Sequence, residues 1–223
     1  MRRFVVICVA LAVLCAVGTA FANDTIDWGQ LGPSFTLLTT PEGWTSTSGL
    51  YTGLVGITYS QVGTQNFERR DQNNGWGGNF FPGEHLIWNE GGSQQTGIDI
   101  GVLFSQSVYG GGAQIQADFF GPFTATLTAY KCCDVADPAN LLGTVIMNGM
   151  SDANGDGSAI FISFLNNQPD VWFLNFNVVD VSGGDSLAIG TVSFVPTPEP
   201  GTLLLLGSGA LGLAGIVRRR FNL

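Results

Sequence analysis

The sequence predicts an all-β protein whose main domain is an antiparallel β-sandwich. Hydrophobic and polar residues alternate with a period of two along many short runs, and turn clusters rich in Gly and Asn separate those runs. Charged residues make up only 11% of the 223-residue chain, which also contains 32 glycines. Alternation with a period of two is typical of strands that bury one face, and Gly and Asn favour the turns between them. No amphipathic helical pattern occurs between residues 23 and 195.

The first 22 residues have the pattern of a signal peptide. Two arginines follow the initiator methionine, residues 4–17 are apolar, and Ala20 and Ala22 form a small-x-small cleavage sequence. This order of a basic, an apolar and a small-residue region directs export and is then removed. We expect cleavage before Asn23.

The domain that follows, residues 23–195, contains at least nine runs with strand character. They are residues 35–39, 54–60, 98–104, 113–119, 123–130, 141–147, 159–164, 171–178 and 187–194. So many short strands favour two packed sheets, and we expect a jelly-roll-like sandwich. The side chains expected to point inward are Ile100, Phe104, Ile115, Leu127, Phe161, Phe173 and Ile189.

The charge of this domain excludes one class of partner. Between residues 23 and 195 there are three basic residues against sixteen acidic ones. Such a surface repels phosphate backbones, so we expect no nucleic-acid binding.

The composition changes abruptly after residue 195. Residues 196–200 contain three prolines, which fit neither a helix interior nor a sheet ladder and therefore predict an extended linker. Residues 201–217 are uncharged and rich in Leu, and a helix of that length spans ~25 Å, enough for a short transmembrane segment. The segment 218–223 follows and begins with the stop-transfer residues Arg218, Arg219 and Arg220. Basic residues at this position favour a cytoplasmic C-terminus and a domain on the other side of the inner membrane.

The order of a Pro-Glu-Pro sequence, a short Leu/Gly-rich helix and a terminal arginine cluster resembles the PEP-CTERM sorting signal. The same tail is also known as an ice-binding protein C-terminal domain, a name that implies nothing about ice. The resemblance implies recognition of Pro198, Glu199 and Pro200 by an exosortase, a membrane cysteine transpeptidase. It further implies that the protein is first anchored in the inner membrane and then processed to the cell surface or extracellular matrix.

Part of the domain resembles the jelly-roll ectodomains that precede such tails, which are similar to carbohydrate-binding β-sandwiches. The resemblance is carried by residues 123–130, 142–144 and 185–194. Many of those domains have Asp or Asn after the final Ala-Ile pair, whereas this chain has Gly190. That departure weakens the case for a ligand or metal at this position.

One acidic loop has half of a calcium-binding pattern. Asp152, Asn154 and Asp156, followed by Gly157, match the first half of an EF-hand-type loop. The twelfth position of such a loop supplies a bidentate acid, but here it is Ser163. The alternative to a calcium site is a polar hairpin loop, in which Asn-Gly and Asp-Gly pairs are common.

A Gly- and Asn-rich segment, residues 73–88, is the candidate for carbohydrate binding. Aromatic side chains on an ordered loop can stack on sugar rings and so form a binding platform for an exopolysaccharide. The alternative is that they fold inward and cap the sandwich. The candidates are Trp76, Phe80, Phe81 and Trp88.

Catalysis finds little support in the sequence. His85 is the only histidine, so a metal cluster or His-based relay would depend on it alone. Glycoside hydrolysis needs two carboxyl groups at a defined separation, and acids such as Glu84, Glu90 and Asp99 are candidates for such a pair. We expect a non-enzymatic envelope or extracellular-matrix protein without a cofactor, with a carbohydrate-binding module as the alternative and a glycoside hydrolase as the third hypothesis.

Overall fold

The computed structural model of the chain describes most of the domain and little of its flanks. The described residues are 23–39, 41–57, 66–90, 99–132, 137–180, 184, 186–197, Gly207 and Gly209. The predicted signal peptide, the sorting residues Pro198, Glu199 and Pro200 and the three stop-transfer arginines lie outside them. The same holds for the predicted transmembrane segment 201–217, apart from Gly207 and Gly209, whose backbone is helical. Among the described residues, no helix has the length and hydropathy needed to cross a membrane.

The described part of the domain consists of strands joined by turns and two short 3-10 helices, Trp28–Leu31 and Pro138–Asn140. The strands are β1 (Asp24–Ile26), β2 (Thr36–Leu38), β3 (Glu42–Thr45), β4 (Thr52–Ile57), β5 (Asn66–Gln72), β6 (Gly75–Trp76), β7 (His85–Glu90), β8 (Ile100–Val108), β9 (Gly110–Ala117), β10 (Gly121–Tyr130), β11 (Leu141–Ser151), β12 (Ile160–Leu165), β13 (Val171–Asp180), β14 (Leu187–Ile189) and β15 (Val192–Val195).

These strands form two sheets, which confirms the predicted all-β sandwich. The six-stranded sheet has the order β11-β10-β13-β8-β4-β3 and is antiparallel throughout. The nine-stranded sheet follows the path β1-β15-β9-β14-β7-β5-β2, with β12 added to β9 and β6 added to β5. Its one parallel pair is β5 with β6. Asn23–Thr197 form one compact unit that contains both sheets.

The predicted strand 187–194 is interrupted in its middle. β14 and β15 both pair with β9, and Gly190 and Thr191 separate them. On the side away from β9, β14 pairs with β7 and β15 pairs with β1, so the sheet continues through two different strands. The indole Nε1 of Trp28 donates to the carbonyl oxygen of Gly190 at 2.7 Å, so this carbonyl group has a hydrogen-bond partner at the interruption.

The first and last strands of the domain are neighbours. Asp24 lies opposite Phe194 in the antiparallel pair of β1 and β15, so the chain enters and leaves at the same end. The Asp24 carboxylate accepts hydrogen bonds from Thr47 Oγ1 at 2.7 Å and from the Ser48 hydroxyl. Burial alone would raise the pKa of Asp24, but the bonds from Ser48 and Thr47 outweigh it and hold the pKa below its ordinary value. Strand pairing and side-chain hydrogen bonds therefore hold the chain in place from Asp24 onward.

The main core lies between the two sheets, and most of the predicted inward-facing residues belong to it. From Phe123 to Tyr130 in β10, the odd-numbered residues are buried and the even-numbered ones are partly open to solvent, as the alternation predicts. The confirmed core residues are Ile100, Phe104, Ile115, Leu127 and Ile189.

The prediction for Phe161 is wrong. Its side chain is 50% exposed, whereas Ile162 is fully buried in the core. Ile162 lies opposite Ala113 of β9, so the even-numbered residues of β12 face inward. Five of the six residues of β12 are hydrophobic, and such a run does not show which face is buried.

Phe173 is buried, but on the outer face of the six-stranded sheet rather than in the main core. Its ring packs against Tyr130, with centroids 6.0 Å apart. Leu174 and Phe176 point into the core instead. A register irregularity between Val171 and Phe173 changes which residues of β13 point into the core, so a simple alternation does not hold there.

The sequence pattern also missed strands in the first third of the domain. β5 has four consecutive charged residues, 68–71, and therefore lacks the alternation on which strand prediction depends. β7 includes Trp88, at the end of the segment 73–88 for which the sequence predicts a loop. Both are nevertheless interior strands of the nine-stranded sheet, because β7 lies between β14 and β5, and β5 lies between β7 and β2.

The corrected register of β12 predicts unequal costs for two neighbouring substitutions. Ile162→Ala removes a fully buried side chain and should lower the free energy of unfolding by about 2–4 kcal/mol. Phe161→Ala removes a larger but half-exposed ring and should cost less than about 1 kcal/mol. Urea unfolding of residues 23–197, followed by circular dichroism, measures both. A larger loss for Phe161→Ala would contradict this register.

Candidate functional site

Two segments that the sequence singled out separately meet on the outer face of the nine-stranded sheet. The loop 73–84 carries most of the candidate aromatic residues, and the loop 152–159 carries the candidate calcium ligands. The amide of Gly155 donates to the carbonyl oxygen of Gly78 at 2.9 Å, and the amide of Ala159 donates to that of Asn79 at 3.2 Å. We call these two loops together the outer-face site.

A buried glutamine joins both loops to the sheet. Gln116 is fully buried in β9, and it faces outward because its neighbour Ile115 belongs to the main core. Its Oε1 accepts from the backbone amide of Asn79 at 2.7 Å, and its Nε2 donates to Asn79 Oδ1 and to Ser151 Oγ, each at 2.7 Å. A buried amide with its hydrogen bonds satisfied fixes the geometry around it. The alternation of β9 gave no sign of this role, since a polar residue at this position normally faces solvent.

The candidate aromatic residues do not form a four-ring surface. Trp76 is 7% exposed and Phe80 is fully buried, where they pack in a second hydrophobic cluster. Trp88 is half-buried, and its ring centroid lies 6.2 Å from that of Trp76. The inward-folded alternative therefore describes Trp76 and Phe80. Phe81 differs from them because it is 58% exposed.

The ring of Phe81 lies over a glycine of the acidic loop. A Cβ placed on Gly157 would come within 2.3 Å of the Phe81 ring, and Gly157 has φ +79°. Only glycine meets both requirements without strain. One side of the ring is thus supported by backbone, while much of the remainder is open to solvent.

In the acidic loop, hydrogen-bond donors of the chain itself occupy the predicted calcium ligands. Asp152 Oδ1 accepts from Asn79 Nδ2 at 2.7 Å, and Asp152 Oδ2 accepts from Asn154 Nδ2 at 2.9 Å. Asp156 Oδ1 accepts from the Ser158 amide at 3.0 Å. The hydrogen bonds from the side chain and amide of Ser158 lower the pKa of Asp156. This geometry favours the hairpin alternative, and no group of three His, Cys, Asp or Glu side chains within the described residues is placed to hold a metal ion.

Gly190, the departure from the related pattern, makes room for an acidic side chain. A Cβ on Gly190 would lie 2.2 Å from Glu84 Oε1, so any larger residue would displace this carboxylate. Burial raises the pKa of Glu84, and hydrogen bonds from the amides of Phe81 and Thr191 oppose that effect. The Glu84 carboxylate thus connects the loop 73–84, through the amide of Phe81, to the amide of Thr191.

Of the acids considered for hydrolysis, the two whose side chains the structure describes, Glu84 and Asp99, lie on opposite faces of the sandwich. Asp99 accepts from the side chains of Asn175 and Asn177, which lie on the outer face of the six-stranded sheet. Burial raises the pKa of Asp99, and those two hydrogen bonds oppose the rise. Glu84 belongs to the opposite face of the sandwich, and the side chain of Glu90 lies outside the described residues.

The single histidine links the N-terminal segment to the nine-stranded sheet. His85 Nδ1 lies 2.6 Å from Asp27 Oδ1, and its Nε2 lies 3.8 Å from Asp71 Oδ1. Asp71 also forms an ion pair with the buried Arg69. Burial would raise the pKa of Asp27, but hydrogen bonds from the Gly29 amide and His85 lower it overall. Neither acid partner was identified from the sequence, because both are distant from His85 along the chain.

Comparison with known families identifies the tail. The model for the PEP-CTERM protein-sorting motif matches residues 196–220, which include Pro198, Glu199, Pro200 and the three arginines. No curated protein matches the chain. The motif confirms the predicted resemblance and implies an exported protein that is anchored in the membrane and directed to the surface through an exosortase. It begins directly after β15, the last strand of the domain.

Two substitutions in the acidic loop distinguish a calcium site from a hydrogen-bonded turn. Asp152→Ala removes the acceptor of the Asn79 amide and should lower the free energy of unfolding by about 1–3 kcal/mol. Asp156→Ala should lower the melting temperature much less, because its carboxylate is exposed and accepts hydrogen bonds from Ser158 within the same loop. We expect equal melting curves with calcium and with a chelator for the purified domain and for both variants.

The calcium hypothesis predicts a different pattern. A ligand that binds only the folded state raises its stability, so chelation would lower the melting temperature of the unmodified domain. Asp156→Ala would then abolish that response. Such a result would contradict the hydrogen-bonded turn.

Proposed function

We propose that the chain is an envelope or extracellular-matrix protein whose β-sandwich has a non-catalytic, structural role outside the cell. The observation that carries this proposal is the sorting motif at residues 196–220, which begins directly after the last strand of the domain. Such a tail gives the domain its location, and the domain itself is the part that remains there after processing.

The position of the chain ends supports this route. β1 and β15 are hydrogen-bonded neighbours, so Asp24 and Phe194, which lie next to the two predicted targeting segments in the sequence, are opposite each other in one sheet. Before processing, both segments would lie in one membrane. A domain whose ends are adjacent can fold while both are held there, whereas ends on opposite sides would have to be pulled together.

The use of the acidic residues supports a structural role. Asp24 accepts hydrogen bonds from the turn at residues 47 and 48, and Asp152 accepts from Asn79. Asp27 pairs with His85. These carboxylates therefore hold strands and loops together. The remaining excess of negative charge keeps such a domain solvated and separate from other acidic surfaces.

The sorting step can be tested with one substitution in the tail. Glu199→Ala should leave membrane insertion unchanged, because the apolar segment is untouched, yet accumulate uncleaved protein in the inner membrane. Mass spectrometry of the mature protein from its host should find a C-terminus near residues 197–201 for the natural chain. Glu42→Ala, the same change in the folded domain, is the control and should be processed normally.

Two results would contradict the sorting proposal. One is an intact C-terminal peptide that reaches Leu223 in surface material of the natural chain, which indicates a permanent anchor. The other is normal processing of the Glu199→Ala variant, which indicates that this residue plays no part in recognition.

Carbohydrate binding remains the alternative function, and the exposed ring of Phe81 is the observation that favours it. The ring rests on Gly157 and is 58% exposed. The acidic loop beside it supplies hydrogen-bond acceptors such as Asp156. Stacking of a sugar on an aromatic ring combined with polar contacts at its edge is a common mode of carbohydrate recognition.

A glycan array on purified residues 23–197 tests this alternative. Any specific signal should be lost in Phe81→Ala and retained in Phe120→Ala, which removes a ring of similar exposure, 63%, from the turn between β9 and β10. Binding that survives Phe81→Ala, or an array without signal, would contradict carbohydrate binding at the outer-face site.

A further inference from the structure

The six-stranded sheet ends in a long strand with an open edge. β11 has 11 residues, which corresponds to ~37 Å. Among the described strands it pairs only with β10, so its other edge presents backbone donors and acceptors without a described partner. The other edge strands are much shorter, since β1 and β2 have three residues, β3 has four and β12 has six.

This edge lacks the features that keep edges from pairing. Natural proteins protect them with charged residues, prolines or short strands. β11 contains neither charged residues nor proline, although the domain has sixteen acidic residues. It also exposes large hydrophobic side chains: Leu141 at 48%, Ile146 at 65%, Met147 at 38% and Met150 at 54%.

The sequence of β11 is nearly symmetric about Ile146. In an antiparallel pair of two copies centred there, Thr144 would face Asn148, Val145 would face Met147 and Ile146 would face its own copy. Polar residues would thus meet polar residues and hydrophobic residues would meet hydrophobic ones, which is the arrangement that stabilises neighbouring strands.

Glycines 143 and 149 also occupy symmetric positions, but the packing of a single copy explains them. A Cβ on Gly143 would lie 2.7 Å from the ring of Phe164, and one on Gly149 would lie 2.4 Å from that of Phe123. The symmetry argument therefore depends on the five residues between them.

We propose that β11 pairs with β11 of a second copy of this chain, antiparallel and centred on Ile146. The two six-stranded sheets would then form one continuous sheet of twelve strands. The ladder between β10 and β11 is regular from Gly143 to Ser151, so the symmetric segment is extended and available for pairing. This proposal does not depend on the sorting route or on carbohydrate binding.

Charge favours a second copy as the partner. Two such acidic domains repel each other at most approaches, but not where both present an uncharged strand. A basic partner would be attracted to the acidic surfaces instead of to β11. The two-fold symmetry of an antiparallel pair also uses the same strand from both copies, as an isologous dimer requires.

Sedimentation velocity over a range of concentrations tests whether the pair forms. Residues 23–197, a compact unit with its own core, should sediment as a dimer. Ile146→Lys places like charges opposite each other at the centre of the pair, and should raise the dissociation constant at least about tenfold. Leu37→Lys is the control, because it changes a residue of similar exposure, 51%, on β2, and should leave the dimer intact. Circular dichroism verifies that both variants are folded.

Cysteine cross-linking of the full chain in its host tests the register, in a background with Cys132→Ser and Cys133→Ser. Directly opposed residues lie ~4.5–5.5 Å apart between Cα atoms, within the range of a disulfide. Ile146→Cys should therefore form a linked dimer on mild oxidation. Asn148→Cys alone should not, since its copy is four residues away along the strand, whereas a mixture with Thr144→Cys should form one.

Three results would overturn the proposal. The domain could remain monomeric at all concentrations, in which case β11 does not pair with itself. A dimer could persist in Ile146→Lys, which assigns the contact to another surface. The third is a cross-link between two Asn148→Cys chains without one between Asn148→Cys and Thr144→Cys, which excludes this register.

Discussion

The hydrogen bonds of the buried Gln116 amide are the constraint on which the outer half of this domain depends. β9 is covered on both sides, by the main core on one and by two loops on the other, and Gln116 is the polar group that meets the second cover. A buried amide without partners costs about 1–3 kcal/mol. Asn79 satisfies it, and the same residue holds Asp152. Loss of either loop would therefore leave polar groups unsatisfied and expose the cluster around Trp76 and Phe80.

The alternation of hydrophobic and polar residues predicted the fold correctly where one face of a strand is buried and the other is open to solvent. Alternation along β10 identified its buried face, since each residue there is either inside or outside. It failed at β12, where nearly every residue is hydrophobic, and at β5, where charges are buried by ion pairs formed on folding. The outer-face site was named in its two halves but not as one site. The contacts that unite it join residues 35 to 79 positions apart, and no short-range pattern encodes them.

The same long-range pairing connects the fold to its route of export. β1 cannot pair until β15 has been made, because the two strands lie at opposite ends of the domain sequence. The nine-stranded sheet is therefore completed only when the last residues before the sorting motif are available. Long-range strand pairing carries a large entropic cost of loop closure and makes folding slow.

The acidic surface of this domain opposes contact between two copies, whereas the uncharged edge of β11 permits it. Together they restrict how copies of the domain can associate. Repulsion between exposed charges acts over about a Debye length, ~8 Å at physiological salt, which is more than the spacing of paired strands. Broad contacts between two acidic faces are therefore unfavourable, whereas an edge without charges escapes most of this repulsion. Symmetric pairing of β11 also uses up the edge in both copies, so it ends at two. An asymmetric contact would leave a free edge and could extend into a fibre. The near-symmetry about Ile146 thus favours a closed pair over open-ended growth, in a sequence whose remaining edge strands are short.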